Sequence, residues 1–149
     1  MPTPNAAHPL SAQLAEAAPA TLLVLGAQAL ALSRLQAARP TACRVHAASP
    51  GEFPAGRFDA VLLSTDYAVL GNPGWLHLLG RLRTFTSARV WLMADSTHPL
   101  GEADYLALGF TCLPPWRDWR CYAYDLHHYK STPDWLNARF WAHPERWKP

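Results

Sequence analysis

The chain is short of charge and has no long apolar run. Only 16% of its 149 residues are charged, the formal net charge is +2, and half of the residues are hydrophobic. No basic run of the kind that follows a phosphate backbone is present, so we expect no nucleic-acid partner. No apolar run approaches the roughly 20 residues that cross a bilayer, so we expect no membrane partner. The composition is instead typical of a globular domain with a real core.

Cysteine is also scarce. The three cysteines form no CxxC and no Cys/His spacing of the zinc-binding kind. An odd number of cysteines without a secretory signal predicts reduced thiols and a cytoplasmic location. If a hairpin turn is centred near Trp116 and Arg117, Cys112 and Cys121 lie opposite one another, and we expect them to be reduced core residues.

Glycine is scarce at the stretch that organises the chain. The segment TLLVLGAQALALS, residues Thr21–Ser33, predicts a buried strand, a tight turn at Gly26 and a helix. In open α/β proteins this is the position that receives a nucleotide-like cofactor, normally through several glycines. Here only one glycine is present.

Alternating strands and helices predict a single α/β domain over residues 1–149. The most continuous apolar strand, FDAVLL at 58–63, is predicted beside the first strand at the sheet centre, because only a strand covered on both faces is apolar on both. Other helices are predicted over 9–18, 27–38, 75–85 with Phe85 facing inward, 102–108 and 132–141. Other strands are predicted over 41–47, 88–94, 110–113 and 120–125. Residues 1–8 are expected to be loosely ordered, and 127–149 to form an aromatic tail packed on the domain.

The order of these elements resembles class I S-adenosylmethionine-dependent methyltransferases. The resemblance lies in TLLVLG, in FPAGRFDAVLLS, and in ALGF followed by a hairpin, and covers about residues 20–126. It implies a three-layer Rossmann-like fold with a mostly parallel sheet of about six strands and a C-terminal antiparallel hairpin. The ending, TPDWLNARFWAHPERWKP, resembles small bacterial proteins of this general shape, which implies no activity.

The sequence departs from this family at the cofactor positions. Gly26 is followed by Ala27, Gln28 and Ala29, and each added Cβ occupies space that a ligand needs. In the resembled family an acid usually follows the second strand, whereas here the chain reads His46, Ala47, Ala48, Ser49, and one strand-helix unit is missing. We therefore expect no cofactor. If S-adenosylmethionine does bind, Gly26, Gln28 and Ser49 are the candidate contacts.

Three residues are catalytic candidates because they follow predicted strands at their carboxyl ends. Asp66 and Tyr67 follow the central strand, where the resembled family holds its methyl acceptor, although we expect Asp66 to cap the following turn. Asp95 follows the next strand and, with His98, could supply an acid and an imidazole.

Histidines near the C-terminus are weak metal candidates. His127, His128 and His143 follow no recognised ligand spacing, so surface histidines are the default and no metal is predicted.

Aromatic residues are concentrated between Trp116 and Trp147 and suit a core, a protein interface or a ligand platform. The resulting hypothesis is a non-catalytic binding or interaction module on a degenerate methyltransferase-like scaffold, with a protein partner or self-association through the aromatic C-terminal region. The alternative is an active small methyltransferase with an atypical cofactor loop. A third hypothesis is a flavodoxin-like or receiver-like domain. The terminal hairpin argues against it, and so does the lack of an acidic pair after Leu25.

Overall fold

The computed structural model describes residues 8–37, 43–48, 55–67, 74–127, 139 and 142–146. These residues form an α/β fold. Its strands are β1 (Thr21–Leu25), β2 (Arg44–Ala47), β3 (Ala60–Ser64), β4 (Arg89–Ala94), β5 (Thr111–Trp116) and β6 (Trp119–Asp125). Its α-helices are α1 (Pro9–Ala17), α2 (Ala27–Ala37), α3 (Trp75–Arg81) and α4 (Glu102–Ala107).

The six strands form one mixed sheet in the order β2-β1-β3-β4-β6-β5. The first four strands in this order are parallel to one another, and β6 pairs antiparallel with both β4 and β5. The expected strand number and the C-terminal antiparallel hairpin are confirmed. The expectation of a mostly parallel sheet is wrong, because the hairpin supplies two antiparallel pairings out of five.

The central strands are the most apolar ones. Every residue of β3 is buried, and in β1 and β4 only the first residue is partly exposed. All four residues of the edge strand β2 are exposed. Burial on both faces explains the unbroken apolar runs, and it confirms that FDAVLL leads into the strand beside β1.

The core consists of two clusters that use alternate residues of the same strands, since successive side chains of a strand point to opposite faces. Leu23 and Leu25 belong to a cluster with α3 and α4 residues, whereas Leu22 and Val24 belong to a cluster with α1 and α2 residues. The helical members are Leu78, Leu79 and Tyr105 in the first cluster, and Leu10, Leu14, Ala29 and Leu32 in the second.

The C-terminal hairpin has a different register from the predicted one. Cys112 pairs with Tyr122 and Cys121 pairs with Leu113, so the two cysteines are not opposite one another. The turn is centred one residue later than predicted, with Arg117 at φ 53°, and the ladder is irregular between Leu113 and Trp116. Pro114 and Pro115 lie in that interval and have no N–H to donate. All three thiols are free, but Cys112 is exposed rather than in the core.

The third helix also departs from its predicted pattern. After Arg81 the chain continues as a π-helical turn, Leu82–Thr86, in which the Ser87 amide donates to the Leu82 carbonyl at 3.0 Å. A π-turn has more residues than an α-turn, so it rotates the following side chains out of the apolar stripe. Phe85 is therefore 68% exposed instead of buried. The helix predicted over 132–141 lies outside the described residues.

Candidate functional site

The turn at Gly26 lies directly against β3. Leu25 pairs with Leu63, which brings Ser64 alongside Gly26, and Gly26 has φ +106°. A Cβ at Gly26 would lie 2.8 Å from the Ser64 carbonyl oxygen and 2.5 Å from Oδ1 of Asp66. The single glycine is thus required by the chain's own neighbours, as well as by its left-handed backbone.

Side chains from the end of β3 occupy the N-terminus of α2. The backbone amide of Gln28 donates to Oδ2 of Asp66 at 3.1 Å, and that of Ala29 donates to Oγ of Ser64 at 3.0 Å. Ser64 Oγ in turn donates to Oδ1 of Asp66 at 2.5 Å. Free amides at a helix N-terminus attract anions, and here the chain supplies the carboxylate. Asp66 therefore caps the N-terminus of α2.

Tyr67 and Asp95 both have structural partners. Tyr67 is only 6% exposed and packs in the cluster with α3 and α4. The Asp95 carboxylate accepts from Thr65 Oγ1 at 3.0 Å and from the Thr97 amide and hydroxyl at 2.8 and 2.6 Å. The hydrogen bonds from Thr97 and Thr65 hold the pKa of Asp95 below its ordinary value. Asp95 thus joins β3, β4 and the following loop.

His98 lies near the carboxyl end of β4, in contact with the aromatic rings of Trp75 and Tyr105. Its ring is 4.6 Å from that of Trp75 in an edge contact, and its Nδ1 is 2.7 Å from the hydroxyl of Tyr105. Burial lowers the pKa of His98, which favours the neutral ring. No hydrogen bond joins its ring to the Asp95 carboxylate in the described part of the chain, so the two form no acid-base dyad there.

Sequence reasoning missed Arg120 and Tyr122, which extend this group from β6. Arg120 pairs with Ala94 at the end of β4, and Tyr122 is fully buried with its ring 4.5 Å from that of Tyr105. Arg120 lies close enough to act electrostatically on His98, Tyr105 and Tyr122. The predicted antiparallel hairpin could have pointed to them. A last strand that runs antiparallel to β4 has its first residues beside the carboxyl end of β4.

The remaining predicted site residues are not brought together. Ser49 and His128 lie outside the described residues. His127 is exposed and donates its amide to Asp125, and His143 Nδ1 is 3.1 Å from Glu145. Within the described ranges there is no group of three or more His, Cys, Asp or Glu residues that could hold a metal ion. In those same ranges, no helix has the length and apolar character needed to cross a membrane.

The fold and the site geometry define an α/β protein with a mixed six-stranded sheet and polar side chains at the carboxyl ends of β3 and β4. The chain matches a family of unknown function, DUF6231, over residues 4–149, and it belongs to that family. No match is found among curated proteins.

Proposed function

We propose that the protein is a non-catalytic binding or interaction module on a methyltransferase-like scaffold that does not use S-adenosylmethionine. The scaffold proposal draws support from the strand order and from the two core clusters, which place α1 and α2 with one set of strand residues and α3 and α4 with the other. This is the arrangement expected of a three-layer Rossmann-like domain.

The observation that carries the proposal is the hydrogen bonding at the start of α2. The amides of Gln28 and Ala29 are already bonded to Asp66 and Ser64. An anionic ligand group would have to displace a carboxylate of like charge from these amides, and would also need the space that Ser64 fills beside Gly26.

The end of β2 adds a second argument. A ribose is usually held by an acid that follows this strand. β2 ends with His46 and Ala47, and Ala48 is the one described residue that follows it directly. None of the three has a carboxylate, and the His46 ring lies 5.2 Å from that of Phe58. Among the described residues, this edge of the sheet has neither an open turn at Gly26 nor a carboxylate at the end of β2.

Calorimetric titration of the full chain with S-adenosylmethionine and S-adenosylhomocysteine tests the proposal. We expect no binding at ligand concentrations up to about 1 mM, and no shift in melting temperature beyond that produced by adenosine. A dissociation constant in the low micromolar range for either ligand would contradict it and favour the active methyltransferase. That alternative rests on Gly26, which keeps the positive φ of a cofactor turn.

A further inference from the structure

Three polar atoms near the carboxyl end of β4 are buried without a hydrogen-bond partner among the described residues. They are Nε2 of His98, Nε of Arg120 and the hydroxyl oxygen of Tyr122. Buried polar groups are normally paired, because an unpaired one has lost its hydrogen bonds to water without replacing them. Three such atoms on neighbouring side chains therefore require an explanation.

The hydrogen bonds of His98 identify which of its ring nitrogens carries the proton. The backbone amide of Leu100 donates to Nδ1 at 3.4 Å, and the Tyr105 hydroxyl lies 2.7 Å from the same atom. An amide can only donate, so Nδ1 is the acceptor and the proton of the neutral ring is on Nε2. The unpaired Nε2 is a donor.

The other two atoms are donors as well. The guanidinium of Arg120 has no acceptor atoms, and the Tyr122 hydroxyl can donate its proton. Arg120 lies beside Tyr122, but Nε and the hydroxyl make no hydrogen bond of good geometry. The Tyr122 oxygen is the only acceptor among these three atoms, so their donors outnumber their acceptors.

The carboxylates nearest to this group are engaged elsewhere. Asp95 is bonded to Thr65 and Thr97, and Asp104 Oδ2 accepts from the Gly101 amide at 2.8 Å. Glu102, the remaining acid that acts on Tyr122, is exposed. In the described part of the chain, no ion pair joins Arg120 to any of them.

We propose that His98, Arg120 and Tyr122 form a binding site for an oxyanion, a carboxylate or a phosphate group of a ligand. An oxyanion supplies several acceptor lone pairs and the negative charge that complements Arg120. The aromatic ring of Trp75 lies against His98 and that of Tyr105 against Tyr122, and apolar surroundings strengthen a charge-assisted hydrogen bond. The site does not involve the Gly26 turn, so a test of anion binding here is independent of the test of the proposed function.

The experiment measures the melting temperature of the full chain in chloride, acetate and phosphate at pH 7 and constant ionic strength, followed by calorimetric titration with the anion that acts. We expect phosphate or acetate to raise the melting temperature above its value in chloride, in a saturable way. Stabilisation by phosphate alone identifies a phosphate group, and stabilisation by acetate identifies a carboxylate.

Three variants locate the effect. Arg120→Gln is expected to weaken anion binding at least tenfold. Tyr122→Phe removes only the hydroxyl, so it should weaken binding severalfold while leaving the free protein as stable as before or more so. Arg57→Gln removes the same charge from an exposed position and should bind like the unaltered protein.

Equal melting temperatures in all three salts would overturn the proposal, since they would show that these donors bind no anion. It would also be overturned if the anion effect were the same in Tyr122→Phe as in the unaltered protein. Should Arg120→Gln fail to fold, the Tyr122→Phe result decides by itself.

Discussion

Oδ2 of Asp66 accepts a hydrogen bond from the Gln28 amide at 3.1 Å, across 38 residues of sequence. The contact joins the end of β3 to the first turn of α2. It satisfies a helix amide that would otherwise be free, and it adds a negative charge at the positive end of the helix dipole. The same contact stabilises the fold and closes the position at which a cofactor would bind.

Replacing Asp66 should show how much its hydrogen bond to the Gln28 amide contributes to the free energy of unfolding. Asp66→Ala is expected to lower the free energy of unfolding by about 1 kcal/mol, as loss of a helix cap typically does. Asp66→Asn should cost less, because an asparagine oxygen still accepts from the Gln28 amide. Urea denaturation of the three proteins makes the comparison, and equal stability of all three would show that the cap contributes nothing.

Gly26 and Gly80 form a matched pair of glycine substitutions. Gly26→Ala puts a Cβ against Ser64 and an alanine at φ +106°, and should destabilise by at least about 2 kcal/mol. Gly80 lies within α3 and has no atom near a new Cβ, so Gly80→Ala should stabilise by about 0.5–1 kcal/mol. Thermal unfolding of both variants provides the test. Similar losses at both sites would contradict the close packing at Gly26.

Most elements of the fold were predictable from residue pattern. The unbroken apolar runs of β1, β3 and β4 required burial on both faces, and Pro9 and Gly109 marked helix ends. The hairpin register was not predictable, because moving a turn by one residue changes every pairing and the sequence there contains two prolines. The exposure of Phe85 was also not predictable, since a π-turn leaves the helical pattern of the sequence unchanged.

The candidate site was only half predictable. Asp66 and Asp95 were found because polar residues after buried strands lie at the ligand-binding edge of a sheet. The capping of α2 by Asp66 depends on the Leu25–Leu63 register, which pattern alone does not reveal. Arg120 and Tyr122 lie in a strand whose place beside β4 depends on the long-range order of the sheet.

His8 predicts an acid-dependent loss of stability. Burial lowers its pKa to about 4 from 6.5, and its Nδ1 accepts from the Leu10 amide at 3.1 Å. Because the folded pKa lies below the unfolded one, the unfolded chain binds more protons, and stability falls as the pH decreases from about 6.5 to about 4.

The matched variant is His8→Asn, which keeps a capping oxygen but does not titrate. It should flatten the pH dependence of the unfolding free energy in this window. Urea midpoints measured at half-unit pH steps make the comparison. An unchanged slope in His8→Asn would refute this account of His8.

Asp95 predicts a loss of stability in the same direction, at lower pH than that of His8. Its folded pKa lies below the ordinary value of 3.8, so its contribution is present above that value and is lost as the pH falls through the folded pKa. Thr97→Val removes one donor to the carboxylate and should cost about 1 kcal/mol at pH 7. The difference in unfolding free energy between Thr97→Val and the unaltered protein should narrow as the pH falls through the folded pKa of Asp95. A difference that stays constant with pH would exclude this role.

The most direct test of the central claim is the response of the Gln28 and Ala29 backbone amides to S-adenosylmethionine, followed by two-dimensional ¹H–¹⁵N NMR. These amides are bonded to Asp66 and Ser64, so we predict that their resonances do not move as the ligand is added to about 1 mM, while they do move when Asp66→Ala removes the cap. Resonances that shift and saturate at micromolar ligand would show that the turn at Gly26 accepts the cofactor, and would contradict the account.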